Sequence, residues 1–313
     1  MRTNNNQIGM IFIVIGMLIY SFHDLAVKII ANDTTIFQLF ITRAIVGIVV
    51  TLSFLKFLNY KIRVMPVYPK LTLIRCVLMH FGFFVFFISL EKLSLSTVTA
   101  LFFAAPFFIT ILSTFILSER IGLVRVLIIV LGFVGVFLIV KPFKESAFSY
   151  FMLAPLFTAF CYAVAMVISK YTRENENAFL QAFQQYSISL LLSIFTYLMM
   201  FVFPLDFMDK EEWRFIFGSI QFDDYYILIS VAILSIFGTL AMTSLIHAYQ
   251  VGSPITNGPT EYVLLILAII NGYFFFGNIP DYLSLAGIIL IILGGWGLFF
   301  REHQRNKISS KVP

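Results

Sequence analysis

The sequence predicts an all-α integral membrane protein with ten transmembrane helices, arranged as two inverted five-helix repeats. Three observations predict this class. Of the 313 residues, 60% are hydrophobic and 12% are charged, whereas an average soluble domain carries about 25% charged residues. Apolar stretches of the length that a bilayer-spanning helix needs, roughly 20 residues, recur along the chain. The two halves also carry similar residues at similar spacings.

Ten apolar segments are long enough to cross a membrane. The predicted helices occupy 8–30, 36–57, 71–90, 94–117, 123–141, 149–169, 178–203, 225–248, 253–276 and 282–300. The first segment is longer than a signal-peptide core and no small-residue cleavage signature follows it, so we expect it to be retained. Most links are short, and the longest are 58–70 and 204–224.

The distribution of lysine and arginine predicts the orientation. If the N-terminus is inside, the inner segments hold fourteen of these residues and the outer segments hold six, while Arg43 lies within the second helix. Because inner loops are enriched in Lys and Arg, we expect both termini in the cytoplasm of a bacterium, with the chain in the inner membrane.

The repeat is carried by pairs of residues in helix n and helix n+5. Tyr20 and Lys28 correspond to Tyr162 and Lys170, and the members of each pair are eight residues apart. The other correspondences are Gln38, Phe40 and Arg43 with Gln181, Phe183 and Tyr186, and Ser118, Glu119 and Gly135 with Gly277, Asn278 and Gly294. A repeat of five helices enters the membrane from opposite sides in its two copies. This predicts two domains, 1–145 and 146–313, with a binding site between them near the midplane.

Several local motifs carry a family resemblance over nearly the whole chain. They are Ala105-Pro106, Ser118-Glu119-Arg120-Ile121-Gly122, Gly132-Phe133-Val134-Gly135-Val136, Gly258-Pro259-Thr260-Glu261-Tyr262, the string from Gly272 to Asp281, the glycines Gly287 and Gly294, and Arg301-Glu302. In these motifs the sequence resembles the drug/metabolite transporter superfamily, and within it the EamA-type ten-helix permeases. The second copy departs from the family pattern, because Asn278 stands where the first copy has Glu119.

The resemblance implies a secondary transporter that moves a small polar or amphipathic metabolite by alternating access. The string in the second half resembles a branch that takes up metabolites such as S-adenosylmethionine or riboflavin. An exporter of amino acids or drug-like solutes is the alternative. The partners are then a small-molecule substrate and the lipid bilayer. Coupling to protons or to a counter-substrate stays open.

Charged residues inside membrane segments are expensive, so each is a candidate for function. Asp24 in the first helix and Arg43 in the second lie at similar depths, given a rise of about 1.5 Å per residue. They are therefore candidates for an ion pair or for substrate binding, and a purely structural ion pair is the alternative.

Glu261 is the strongest candidate for substrate binding. It follows Asn257 and the stretch Gly258-Pro259-Thr260, which we expect to weaken or kink the ninth helix. Broken backbone is tolerated in a membrane where it is packed in protein or lines a cavity. A carboxylate there could bind a substrate or take up a proton, with Tyr262 beside it; a hydrogen bond to a neighbouring helix is the alternative.

His80, near the middle of the third helix, could bind a substrate or relay a proton, although a lone histidine often serves packing alone. Tyr20, Phe102, Tyr162 and Tyr262 could line an aromatic pocket, with ordinary packing as the alternative.

Other functional classes lack their signatures. The sequence has no nucleotide-binding or hydrolase motif, so we expect no nucleotide hydrolysis, no catalytic residues and no cofactor. It has no basic run typical of nucleic-acid binding and no cysteine pattern typical of a metal site. A membrane-embedded enzyme or a sensor is the low-ranked alternative, since the polar residues lie at scattered depths and no link is long enough for a sensory domain.

Overall fold

The protein is helical throughout the part of the chain that the computed structural model describes, with no β-strand in it. The described residues are 2–30, 33–60, 62, 65–93, 95–118, 122–140, 150–202, 214–218, 224–277, 281–283, 285–290 and 292–294. The helices are α1 (Arg2–Ile30), α2 (Ile36–Phe57), α3 (Pro69–Lys92), α4 (Leu95–Phe102), α5 (Ala105–Ile116), α6 (Leu123–Val140), α7 (Leu153–Tyr171), α8 (Ala178–Val202), α9 (Arg214–Phe217), α10 (Tyr225–Val251), α11 (Pro254–Thr260) and α12 (Val263–Phe276).

Seven helical spans among these residues are long and apolar enough to cross a membrane. They are Asn5–Ile30, Ile36–Phe57, Pro69–Lys92, Tyr150–Tyr171, Ala178–Met199, Tyr225–Val251 and Pro254–Phe275. Large apolar side chains such as Phe57, Phe115, Leu123 and Leu191 are exposed on the outside of the bundle. A surface of this kind is expected to face lipid. The predicted all-α membrane class is therefore confirmed, while the count of ten helices stays a prediction, partly because much of 282–300 lies outside the described residues.

Two of the predicted spans are broken into two helices each. Phe103 and Ala104 separate α4 from α5, and Glu261 and Tyr262 separate α11 from α12. The predicted weakening of the ninth helix is confirmed, because Pro259 lies inside α11 and removes a backbone donor. The expectation of one continuous helix over 94–117 is wrong: Pro106, at the start of α5, has no backbone N–H to donate to the carbonyl of Phe102, so the hydrogen-bond ladder is interrupted there.

Local sequence explains several helix ends. The side chain of Thr35 caps α2 by accepting a hydrogen bond from the backbone of Gln38, and Asp224 caps α10 in the same way. At its C-terminus, α12 ends at Gly277, whose φ of 65° suits a glycine.

The helices interleave the two halves of the chain. Helix α1 packs against α10, α11 and α12, while α7 packs against α3, α4 and α5. Helices α2 and α8 pack against each other. Helices of the two halves therefore pack against each other, and side chains from both halves form the interior of the bundle.

One end of the bundle is tied together by polar side chains. We call it the Glu176 end. The buried Glu176 accepts hydrogen bonds from the backbone of Val67 and, through its own carbonyl, from Gln250. Arg75, also buried, donates to the carbonyl of Gln181 and to the side chain of Gln184. These bonds join the first half of the chain to the second.

Candidate substrate site

A cavity of about 40 Å³ lies between α1, α2, α3, α8 and α10. We call it the Arg43 cavity. It is lined by Tyr20, Phe40, Arg43, Ala44, Met79, His80, Phe83, Gln185, Tyr186, Ser189 and Met242. A space of this size holds water molecules and is smaller than a pocket for a whole metabolite. Both halves of the chain contribute to it.

Arg43 presents its guanidinium to this cavity. It donates a hydrogen bond of 3.3 Å to the hydroxyl of Tyr20, and its Cζ lies beside the backbone of Gly238, which leaves room for it by having no side chain. The predicted Asp24–Arg43 ion pair is not formed. Asp24 is bonded instead to its neighbour His23, with 2.9 Å between Oδ1 and Nδ1.

His80 lies on the opposite wall of the Arg43 cavity. Its Nδ1 is 2.9 Å from the hydroxyl of Ser189, and the ring of Phe40 meets its own ring edge to face. Its Nε2 is buried with no hydrogen-bond partner. The imidazole therefore has one nitrogen fixed by α8 and one left for another group.

The smaller cavity, of about 20 Å³, lies beside the first and shares Tyr20 and Phe83 with it. We call it the Tyr162 cavity. Its lining consists of Met17, Tyr20, Asp24, Phe83, Phe86, Thr99, Phe102, Tyr162, Leu245 and Leu264. Three of the four aromatic residues singled out from the sequence, Tyr20, Phe102 and Tyr162, thus surround one space. Tyr262 lines neither cavity.

Glu261 lies at the break between α11 and α12 and is wholly buried. Its Oε1 accepts hydrogen bonds from Tyr162 of α7 at 2.7 Å and from Tyr249 of α10 at 2.6 Å. Its Oε2 has no partner. The carboxylate therefore joins three helices and stands behind Tyr162, one hydrogen bond away from the cavity that Tyr162 lines.

Tyr262 and Asn257 pack against glycines, where a helix backbone comes close to their side chains. Gly132 of α6 lies directly against the ring of Tyr262, where a Cβ would be 2.2 Å from Cε2. Asn257 donates to the carbonyl of Ala248 at 2.6 Å and fits against Gly9 and Gly252. Both residues hold helices together and lie outside the two cavities.

Several residues that line the Arg43 cavity had no site role predicted from the sequence. Gln185 and Ser189 lie one turn apart in the apolar helix α8, and that spacing was an available signal. Tyr186 was noted as the counterpart of Arg43 in the repeat but was not assigned to a site. Tyr249 gave no signal, since its contact with Glu261 depends on how α10 and α11 meet.

The two halves of the chain match one family separately. Residues 7–141, and again residues 149–300, match the EamA-like transporter family. The chain therefore belongs to the EamA-like transporter family, as the resemblance predicted, and it is a multi-pass membrane protein that transports a small metabolite. One solved crystal structure has the same fold, with a TM-score of 0.69 and 17% identity over 94% of this chain and 98% of that one.

Several curated relatives have named substrates. The chain is 23% identical over 303 residues to an S-adenosylmethionine uptake transporter of Rickettsia prowazekii (strain Madrid E), covering 97% of this chain and 95% of the relative. It is 24% identical to a pseudopaline exporter, CntI, of Pseudomonas aeruginosa (strain UCBPP-PA14), covering 66% and 67%. It is also 24% identical to a riboflavin transporter of Brucella anthropi (strain ATCC 49188), covering 71% and 73%.

Proposed function

We propose that this chain is a secondary carrier that takes up a small amphipathic metabolite across the bacterial inner membrane by alternating access. The observation that carries the proposal is the Arg43 cavity. It combines aromatic and polar side chains, and it draws its lining from both halves of the chain. A site between two moving halves can open to each side of the membrane in turn.

We further propose ten helices in two inverted five-helix repeats, 1–145 and 146–313, with both termini in the cytoplasm. The neighbours of α1 and α7 support this arrangement. Each predicted membrane segment is matched here to the segment five places later in the chain, which pairs α1 with α7. The neighbours of α1, which are α10, α11 and α12, then correspond to the neighbours of α7, which are α3, α4 and α5. The separate family matches to each half support it as well.

Two lysines support the same symmetry. Lys28 of α1 donates to the carbonyls of Leu90 and Leu93 at the end of α3. Lys170 of α7 donates to the carbonyls of Gln250, Val251 and Gly252 at the end of α10. Each lysine thus binds the C-terminus of a corresponding helix, where a cation is favoured. Lys170 is buried and Lys28 is half-buried, as expected for a carrier closed at the Glu176 end.

The size of the cavity bears on the mechanism. A volume of about 40 Å³ is too small for a metabolite, so the walls must move apart for substrate to enter. The breaks at Phe103–Ala104 and at Glu261–Tyr262 place hinges in two helices that line the adjoining Tyr162 cavity through Phe102 and Leu264. Rocking of the halves about these breaks supplies the motion that alternating access requires.

The substrates named for the relatives supply the first candidates, S-adenosylmethionine and riboflavin. The test is uptake of a labelled panel, including both compounds and amino acids, into proteoliposomes with and without an imposed proton gradient. We expect saturable uptake of one compound that empty liposomes do not show. Dependence on the gradient indicates proton coupling, and dependence on an internal compound indicates exchange. No uptake of any compound by folded protein overturns the uptake proposal.

Export is the second candidate, because one relative is named as an exporter. The same proteoliposomes, loaded with labelled compound and diluted, measure efflux. Efflux driven by an inward proton gradient, with no accumulation under any gradient, favours export over uptake.

A further inference from the structure

The guanidinium of Arg43 has most of its hydrogen-bonding capacity directed to the Arg43 cavity. An arginine carries five N–H donors. Two tyrosine hydroxyls lie beside it, because Arg43 donates a hydrogen bond to Tyr20 at 3.3 Å and interacts with Tyr186. The residue is only partly buried and lines the cavity, so the donors that these tyrosines do not use are accessible from that space.

No carboxylate neutralises this cation directly. Among the described residues, no aspartate or glutamate oxygen lies within 4 Å of Arg43. Asp24, the acid of the adjoining helix, is bonded to His23, and Glu261 is bonded to two tyrosines. A cation held inside a membrane protein without a carboxylate to neutralise it is costly, and such residues mark substrate pathways.

Tyr186 places a second hydrogen-bonding group in the same cavity. Its hydroxyl is buried, makes no hydrogen bond of normal geometry, and lies close enough to Arg43 to interact with the guanidinium. Its ring is fixed in place against Gly47 of α2, where a Cβ would be 2.5 Å away. The hydroxyl is therefore available to a molecule that enters the cavity beside Arg43.

We propose that the Arg43 cavity binds the carboxylate group of the substrate, with Arg43 as the anion-binding residue and the hydroxyl of Tyr186 as a second donor. A guanidinium matches a carboxylate through two parallel hydrogen bonds, which a lysine cannot form. Phe40 and Phe83 form the apolar wall against which the rest of the molecule rests. The substrate class is then an amino acid or an amino-acid derivative with a free carboxylate.

This inference rests on the proposed carrier function and narrows it. Of the two candidates suggested by the relatives, S-adenosylmethionine has a carboxylate and riboflavin does not. The site chemistry therefore favours S-adenosylmethionine and other carboxylate-bearing metabolites over neutral ring compounds.

The test uses matched pairs of compounds that differ only in the carboxylate. The pairs are S-adenosylmethionine with its decarboxylated form and tryptophan with tryptamine, and riboflavin is the neutral compound. Binding to the purified full-length protein is measured as a rise in melting temperature, and transport as uptake into proteoliposomes. We expect at least one carboxylate compound to bind and to be transported, and its decarboxylated partner to bind roughly tenfold more weakly or worse.

Variants test whether Arg43 is responsible for the preference for a carboxylate compound. Arg43→Gln should abolish the preference for the carboxylate member of the pair, and Arg43→Lys should keep the charge but weaken binding. Lys56→Gln removes the same charge from an exposed position of α2 and should bind like the wild type. The comparison of paired compounds on wild-type protein decides the question even if Arg43→Gln fails to fold.

The outcomes separate this inference from the carrier function. Transport of riboflavin or of a decarboxylated compound as well as the carboxylate compounds, or an unchanged preference in Arg43→Gln, overturns the carboxylate site and leaves the carrier standing. If no compound binds and none is transported, both fail.

Discussion

The two halves of this protein place a tyrosine at corresponding positions and give it chemically opposite partners, a guanidinium in the first half and a carboxyl group in the second. In the first half, Tyr20 of α1 accepts a hydrogen bond from Arg43. In the second half, Tyr162 of α7 donates one to Glu261. The two partners also differ in exposure, since Arg43 lines a cavity and Glu261 is wholly buried.

This difference separates two roles within one repeated framework. A partly open cation can meet a substrate directly, whereas a sealed carboxylate that joins α7, α10 and the break before α12 can act only through the tyrosines bonded to it. We therefore assign substrate contact to the first half and control of the broken helix to the second. The following predictions test that division, from the largest expected effect to the smallest.

Glu261→Gln should reduce transport by about tenfold or more while expression stays intact. The substitution preserves the shape of the side chain but replaces the carboxyl group that accepts from two tyrosines with an amide, which weakens two hydrogen bonds of about 1 kcal/mol each. Initial uptake rate in proteoliposomes is the measurement. Glu174→Gln, the same change at an exposed site, is the control and should transport normally. Wild-type uptake by Glu261→Gln would remove Glu261 from the transport machinery.

Lys170→Met should lower the free energy of unfolding by about 2 kcal/mol, and Lys28→Met by less than about 1 kcal/mol. The buried Lys170 satisfies three carbonyls at the end of α10, while the half-buried Lys28 makes longer bonds, of 3.4 and 3.2 Å, to two carbonyls of α3 and the residue after it. Unfolding in detergent measures both. Equal losses would contradict the inference that the structure is closed at the Glu176 end.

Gly132→Ala should destabilise the protein by about 1–2 kcal/mol, because a new Cβ would overlap the ring of Tyr262 and force it to move. Gly294→Ala is the matched control, since the nearest atoms there are 3.8 Å away, an ordinary contact. The melting temperatures of the two variants make the comparison. If Gly132→Ala melts like Gly294→Ala, then α6 does not fix Tyr262.

Tyr162→Phe and Tyr20→Phe should differ in which transport constant they change. Each removes one hydroxyl, worth about 1 kcal/mol or roughly fivefold. Loss of the bond to Glu261 should lower the maximal uptake rate, and loss of the bond to Arg43 should raise the half-saturation concentration. Concentration-dependent uptake separates the two constants. Identical changes in both variants would remove the division of roles between the halves.

The sequence alone determined the membrane class, because a chain with 12% charged residues cannot cover itself with polar surface. It also predicted the break at Glu261, since a proline removes a backbone donor wherever the chain folds. The spacing of Tyr20 with Lys28, and of Tyr162 with Lys170, identified two lysines that make corresponding contacts and two tyrosines that bond different partners in the structure. These are local properties of composition and helical periodicity.

Partner choice was decided only by the tertiary structure. Depth along a helix made Asp24 and Arg43 possible partners. The rotation of the two helices instead leaves Asp24 bonded to His23, while Arg43 bonds Tyr20 and lines the cavity. In the same way, helical rise placed Glu261 within the membrane but could not tell whether it faced a cavity or two tyrosines. A one-dimensional pattern gives the position of a side chain along its helix, and only the packing of neighbouring helices determines what that side chain meets.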